Sequence, residues 1–163
     1  MLIATAGVLS PDPVARVAER LAGEDGDVIV ITVIQVPRSF LETIRSEQWH
    51  PLSDATPEWT SEEDAMIARY VEERGHRLTE PMLSALRVRG MEPRVRYLEG
   101  EDPAERILVA AEELGAELIV IGATKELFEE WESVSARVLR DTTLPVLVVP
   151  NPPRGNEADT EDE

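Results

Sequence analysis

The sequence predicts an α/β protein with a doubly wound, five-stranded parallel sheet and four helices on its two faces. Segments with strand and helix patterns alternate along the chain in the order β-α-β-α-β-α-β-α-β. The run Val28–Val36 is almost entirely apolar and β-branched, which is typical of a strand buried on both faces. Right-handed crossovers between such strands produce a doubly wound sheet. The length of 163 residues suits one domain, predicted as 1–150, with an acidic disordered tail at 151–163.

The first two strands and the helix between them have clear local signals. An apolar strand is predicted at Leu2–Thr5. Asp12 followed by Pro13 predicts an N-cap with proline at the first helical position. Apolar residues then recur every three or four positions until Gly23, where we expect the helix to end before the second strand.

The segment Pro37–Thr60 has no clean periodicity, so we predict a long loop or a short irregular helix there. Its two tryptophans, Trp49 and Trp59, either cover the core or face a ligand. A long amphipathic helix follows and ends near Gly90. Because proline removes a helical hydrogen bond, we predict a kink or a restart of this helix at Pro81.

The second half of the chain alternates strands and capped helices. Arg94–Leu98 alternates polar and apolar residues, which predicts a strand near a sheet edge. Asp102, Pro103 and Glu105 predict an N-cap, a first-turn proline and an N3 carboxylate for the next helix. The remaining elements are a strand that stops at Gly122, a helix that begins near Ser133, and a last strand at Val146–Val149.

Composition excludes several classes of function. The 33 acids and 16 bases leave a net charge of -17, which disfavours nucleic acid and anionic membranes as partners. The chain has no cysteine and therefore no thiolate ligand for a metal, and its two histidines give no support for a histidine metal site. No apolar run is long enough to cross a bilayer, so we expect a cytoplasmic protein. The spread of the acids indicates a surface adapted to a salt-rich cytoplasm or, alternatively, an acidic face for one basic partner.

Four segments together resemble the universal stress protein family over the whole predicted domain. They are the opening strand, VIQVP at the end of the second strand, EGEDPAERILVAAEELGAELIVIG and SVSARVLRDTTLPVLVVP. The resemblance implies the strand order 3-2-1-4-5 and a ligand site at the carboxyl ends of strands 1, 2 and 4. It also implies a homodimer through the last strand, and the apolar edge there agrees. The predicted interface residues are Val146, Leu147, Val148 and Val149.

The ATP-binding members of this family have an acidic residue after the first strand, where this chain has Ala6 before Gly7. Their phosphate loop has a glycine, two residues, a second glycine, nine residues, and a third glycine before serine or threonine. Here Gly122 matches the first glycine, whereas Lys125 and Glu132 stand in the other two positions. Only six residues separate Lys125 from Glu132, which shortens the loop.

The serines that open the last helix do match the family pattern. We interpret Ser133 and Ser135 mainly as helix caps. Four glutamates between Glu126 and Glu132 would repel a triphosphate, and residues other than glycine hinder a close backbone approach to phosphate. We therefore expect a regulatory or stress-response module with an unknown protein partner, no tight ATP binding and no catalytic residues.

The alternative is a nucleotide-binding protein with a modified phosphate loop. In that interpretation Lys125, Ser133 and Ser135 hold the phosphates of ATP with Mg, and backbone groups near Val33 and Ile34 hold the base. Such a protein could at most be a very slow ATPase, because no pair of nucleophile and base is visible. The candidate nucleotide-binding residues are Ala6, Gly7, Val33, Gly122, Lys125, Ser133, Val134 and Ser135.

Overall fold

Five parallel strands form one sheet in the part of the chain that this computed structural model describes, residues 1–23, 26–47, 61–123 and 133–150. The strands are β1 (Leu2–Ala4), β2 (Ile29–Ile34), β3 (Arg94–Glu99), β4 (Ile119–Ala123) and β5 (Val146–Pro150). The helices are α1 (Pro11–Ala22), α2 (Arg38–Glu47), α3 (Ser61–Val88), α4 (Pro103–Glu113) and α5 (Val134–Asp141). The strand order is β3-β2-β1-β4-β5, which confirms the predicted doubly wound sheet.

Helices cover both faces of the sheet because alternate residues of each strand point to opposite sides. One hydrophobic cluster joins β1, β2 and β4 to α4 and α5, and a second joins the same strands to α1 and α3. Leu2, Ile31 and Ile119 belong to the first cluster and are fully buried. Ile3 and Val30 belong to the second. The central strands are therefore buried on both faces, as the almost entirely apolar run in β2 predicts.

The two edges of the sheet differ in character. In β3, Arg94, Val95 and Arg96 are exposed, and charged side chains of this kind discourage pairing with another chain. In β5, Val146–Val149 is apolar and half-buried, and its described pairing is with β4 alone. The β5 edge therefore lacks the charges that protect the β3 edge.

The first helix begins earlier than its sequence signal suggests. Ser10 is the N-cap residue and Pro11 occupies the first turn, whereas Asp12 and Pro13 were predicted for these positions. Pro11 and Pro13 both suit the first turn, because proline lacks the backbone N–H that a helix start leaves unpaired. The helix therefore extends back to Pro11. The predicted end is confirmed, because Gly23 follows the helix with a φ of 65°.

Of the two alternatives predicted at Pro81, a kink or a restart, the restart is wrong, because α3 runs without interruption from Ser61 to Val88. The kink stays a prediction. Met82, Leu83 and Leu86 belong to the second cluster, and their packing there holds the helix together past the proline.

The segment predicted as a loop or short irregular helix contains the ten-residue helix α2. Phe40 of α2 contacts Tyr70 of α3, with ring centroids 4.7 Å apart.

The predicted start of α4 is confirmed in detail. The Asp102 carboxylate accepts hydrogen bonds from the backbone N–H groups of Ala104 and Glu105, at 3.1 and 3.2 Å. Pro103 occupies the first turn. This start lies next to the carboxyl ends of the central strands, at the reversal of strand order beside β1.

None of the helices in the described segments combines the length and the hydropathy that a membrane span requires.

Candidate functional site

A cavity of about 440 Å³ lies at the carboxyl ends of β1, β2 and β4. The N-terminal turns of α4 and α5 form one side of it, and α3 contributes Arg74 and Leu78. In a doubly wound sheet the loops leave β1 and its neighbour on opposite faces at this point, which opens a crevice for a ligand. The side chains of Ile31, Ile107 and Ile121 give this cavity an apolar floor.

The loop after β1 forms one wall and depends on Gly7. Its φ of 82° lies in the left-handed region, which side chains rarely allow. A Cβ at this position would also lie 2.9 Å from Cδ2 of Leu78, so the loop and α3 approach closely here. The Gly7 N–H donates to Oγ1 of Thr5, at 3.0 Å, which closes the turn. Ala6 and Val8 on either side of the glycine line the cavity.

The end of β2 contributes Val33, Ile34 and Gln35 to the lining. The Gln35 side chain donates from Nε2 to the backbone oxygen of Glu101, at 2.7 Å. This bond ties the end of β2 to the loop before α4, 66 residues away in sequence. The amide oxygen of Gln35 keeps its capacity to accept a hydrogen bond from a ligand.

The start of α5 offers hydrogen-bond donors to the cavity. Ser133 is the N-cap, and its Oγ accepts from the Ala136 N–H at 3.2 Å, so its own hydroxyl hydrogen stays available. The first N–H groups of the helix, those of Val134 and Ser135, have no acceptor within the helix. Together these groups favour a negatively charged or carbonyl oxygen at this wall.

Ser135 is not a helix cap, contrary to the prediction. Its hydroxyl donates to the backbone oxygen of Gly122 at 2.5 Å, and this bond joins α5 to the end of β4. Gly122 itself lies inside β4, which continues to Ala123, whereas the strand was predicted to stop at the glycine. Because the hydroxyl hydrogen of Ser135 is occupied, Ser133 is the better donor to a ligand.

A bidentate ion pair braces the starts of α4 and α5. Arg137 donates from Nη1 and Nη2 to the two carboxylate oxygens of Asp102, at 2.9 and 2.6 Å. The hydrogen bonds from Arg137, then those from the N–H groups of Glu105 and Ala104, hold the pKa of Asp102 below its ordinary value. One carboxylate thus caps α4 and fixes α5, and both helix starts have defined positions at the cavity.

The structure brings most of the predicted site residues together. Six of them line the cavity, namely Ala6, Val33, Gly122, Ser133, Val134 and Ser135. Gly7 shapes the adjacent turn. Lys125 lies outside the described residues, as do Trp49 and Trp59. No group of three metal-ligating side chains occurs within the described segments.

Sequence reasoning missed the contribution of α3. Arg74 and Leu78 lie one helical turn apart and both line the cavity. Neither residue stands out in the sequence, because the long helix carries charged residues throughout. The ion pair between Asp102 and Arg137 was also not predicted, because the two residues are 35 positions apart in the sequence. Only Asp102 has a local sequence signal, as a helix cap. Their proximity follows from the strand order.

A family model described as "Universal stress protein family" matches residues 1–150. A comparison with curated protein sequences gives no match. Among solved structures, a universal stress protein family member from Burkholderia pseudomallei has 24% sequence identity and a TM-score of 0.56. That alignment covers 91% of this chain and 95% of the other.

Two further solved structures similar to this chain are nucleotide complexes. A universal stress protein in complex with cAMP has 19% identity and a TM-score of 0.52, covering 91% of this chain and 93% of the other. A universal stress protein family protein from Arabidopsis thaliana with AMP bound has 10% identity and a TM-score of 0.51, covering 100% and 99%. At these identities the similarity concerns the fold.

Proposed function

The chain belongs to the universal stress protein family, and from this premise we propose that it is a regulatory module that binds an adenine nucleotide of AMP size and does not hold ATP tightly. The observation that carries the proposal is the cavity of about 440 Å³ beside β1. Its volume lies within the roughly 300–1,000 Å³ range of small-molecule sites. The cavity also lies at the reversal of strand order, where doubly wound sheets bind their ligands.

The walls of the cavity suit the two parts of a nucleotide. The apolar floor of Ile31, Ile107 and Ile121 favours a flat base, because most of the surface of a bound small molecule packs against apolar side chains. The free N–H groups at the start of α5 and the hydroxyl of Ser133 favour phosphate oxygens. The complexes of two family members with cAMP and AMP support an adenylate ligand of this size.

The segment before α5 argues against tight binding of a triphosphate. Glu132 directly precedes the N-cap residue Ser133, and Glu126, Glu129 and Glu130 are close to it in sequence. The β- and γ-phosphates of ATP add negative charges beyond the α-phosphate, and like charges at close range repel unless water or a cation screens them. The family's glycines at the second and third loop positions are replaced by Lys125 and Glu132, which restricts the backbone approach to phosphate.

Calorimetric titration with AMP, and separately with ATP and Mg²⁺, tests this proposal. We expect AMP to bind and ATP to bind no more tightly than AMP. Ser133→Ala should weaken AMP binding several-fold, because it removes a hydroxyl donor at the cavity. The matched control is Ser84→Ala, which changes an exposed serine on α3 outside the cavity.

Two results would contradict the proposal. One is that ATP binds ten times or more tightly than AMP and that Ser133→Ala loses this affinity. The protein would then be the ATP-binding form described above as the alternative. The other is absence of AMP binding up to millimolar concentration, which would leave the cavity without a nucleotide role.

We also propose that the protein forms a homodimer in which β5 pairs with β5 of a second copy. The support is the contrast between the two sheet edges, because exposed arginines flank the β3 edge whereas Val146–Val149 offers apolar side chains without charge. Pairing of identical strands about a two-fold axis satisfies the backbone groups of both edges at once.

A further inference from the structure

We infer that Arg74 recognises the anionic group of the ligand, so that the cavity selects small molecules with one phosphate-sized anion on an uncharged body. This inference rests on the proposed function and names a residue that would bind the phosphate of the proposed ligand. Arg74 lies on α3, far in sequence from the loop after β4 and from the start of α5. It was not among the residues that the sequence indicated.

The charge of the cavity wall is the first reason. Eighteen described residues line the cavity, and Arg74 is the one ionisable side chain among them. Ala, Val, Leu, Ile, Pro and Gly make up most of the rest, with Thr5, Gln35, Ser133 and Ser135 as uncharged polar residues. Within these described walls, no carboxylate competes with a ligand for the guanidinium. A single cation in such surroundings favours a ligand with a compensating anion.

The second reason is that Arg74 has no ion-pair partner in the described part of the chain. On a helix, partners stand three or four positions away, and here these positions are occupied by Tyr70, Val71, Arg77 and Leu78. Two other arginines of α3 do have partners on the same helix, since Arg69 pairs with Glu73 at 2.7 Å and Arg87 with Glu80 at 3.3 Å. Within the described segments, therefore, no carboxylate neutralises the guanidinium of Arg74, and the anionic group of a ligand can do so.

The third reason is that packing fixes the turn of α3 that carries Arg74. Gly75 is buried, and a Cβ there would lie 2.4 Å from Cγ of the Tyr97 ring, so the helix backbone sits directly on β3. One turn later Leu78 contacts the loop at Gly7. The backbone of Arg74 is therefore held from two sides, and its side chain reaches the cavity from a rigid support. The planar guanidinium can donate two parallel hydrogen bonds to a phosphate.

The test compares AMP with adenosine, which has the same base and ribose but no phosphate. Affinities are measured by calorimetry on the full chain and on Arg74→Gln and Arg77→Gln. Arg77 is exposed on the same helix and does not line the cavity, so its substitution makes the same change in net charge. We expect the wild type to prefer AMP over adenosine by about tenfold, a size typical of one charge-assisted contact that is partly exposed to water.

Arg74→Gln should remove most of this preference by weakening AMP binding while adenosine affinity stays within about twofold. Arg77→Gln should keep the preference. Arg74→Lys should restore part of it, because lysine keeps the charge but loses the bidentate fork. Adenosine binding without a preference for AMP, or a preference that survives Arg74→Gln, would overturn the role of Arg74 and leave the proposed function standing. Absence of binding of both ligands would overturn the proposed function and this inference with it.

Discussion

Substitution of Gly75 by leucine is expected to lower the free energy of unfolding by about 2 kcal/mol. A Cβ at this position would lie 2.4 and 2.5 Å from Cγ and Cδ1 of Tyr97, well inside contact distance. Leucine is a better helix former than glycine by roughly 0.8 kcal/mol, but overpacking of a filled site costs about 1–3 kcal/mol and more for a whole side chain. The clash therefore outweighs the gain in helix propensity. Urea unfolding measures the difference.

A double substitution separates the clash from other effects. Tyr97→Ala removes the ring, so Gly75→Leu in that background should cost far less than it does alone, and the two changes should be strongly non-additive. Ser84→Leu, at an exposed position on the same helix, should change stability by no more than about 0.5 kcal/mol. A stability of Gly75→Leu equal to that of the wild type would show that α3 is not seated on β3 through this glycine.

A lysine at Val148 is expected to convert the proposed dimer into a monomer. Val148 lies in the middle of β5, and in a two-fold dimer through this strand the new charges of both copies would come close together at the interface. Desolvation of a lysine at an apolar interface adds to the repulsion. Size-exclusion chromatography with light scattering measures the mass of the species directly.

The control for Val148→Lys is Val95→Lys, which places the same charge on the opposite edge strand, β3, where 37% of the valine is exposed. This variant should keep the mass of the wild type. Thermal unfolding of both variants checks that each is folded, and Val146→Lys provides a second substitution in β5. A wild type with the mass of one chain, or a folded Val148→Lys with the mass of two, would contradict the proposed interface.

Local signals predicted the fold well wherever a single residue decides the geometry. Asp102 could be identified as a cap from its position before Pro103, and the structure confirms its bonds to two N–H groups. The buried strand β2 follows from a run of β-branched residues that has no polar face. The start of α1 was placed two residues late, because two prolines at alternate positions give the same signal.

The candidate site was predicted in part, and the missing part depends on long-range contacts. Ser133 and Gly122 could be found because they lie in a recognisable segment. Arg74 could not, since its place at the cavity depends on the packing of α3 against Gly7 and Tyr97, which lie 67 and 23 positions away in the sequence. Ser135 was assigned as a cap from its position, but tertiary contact with Gly122 uses its hydroxyl instead. Contacts of this kind have no local pattern.

The cavity beside β1 is the proposed binding site for an AMP-sized nucleotide. Backbone ¹H–¹⁵N correlation spectra recorded during a titration with AMP test it most directly, because every amide reports its own surroundings. We expect the largest shift changes at Ala6, Gly122 and Val134 around the cavity, and little change at Gly23 and Gly90 at the opposite end of the sheet. A spectrum without change at millimolar AMP, or changes centred on Gly23 and Gly90, would contradict the assignment of the nucleotide site to the cavity beside β1.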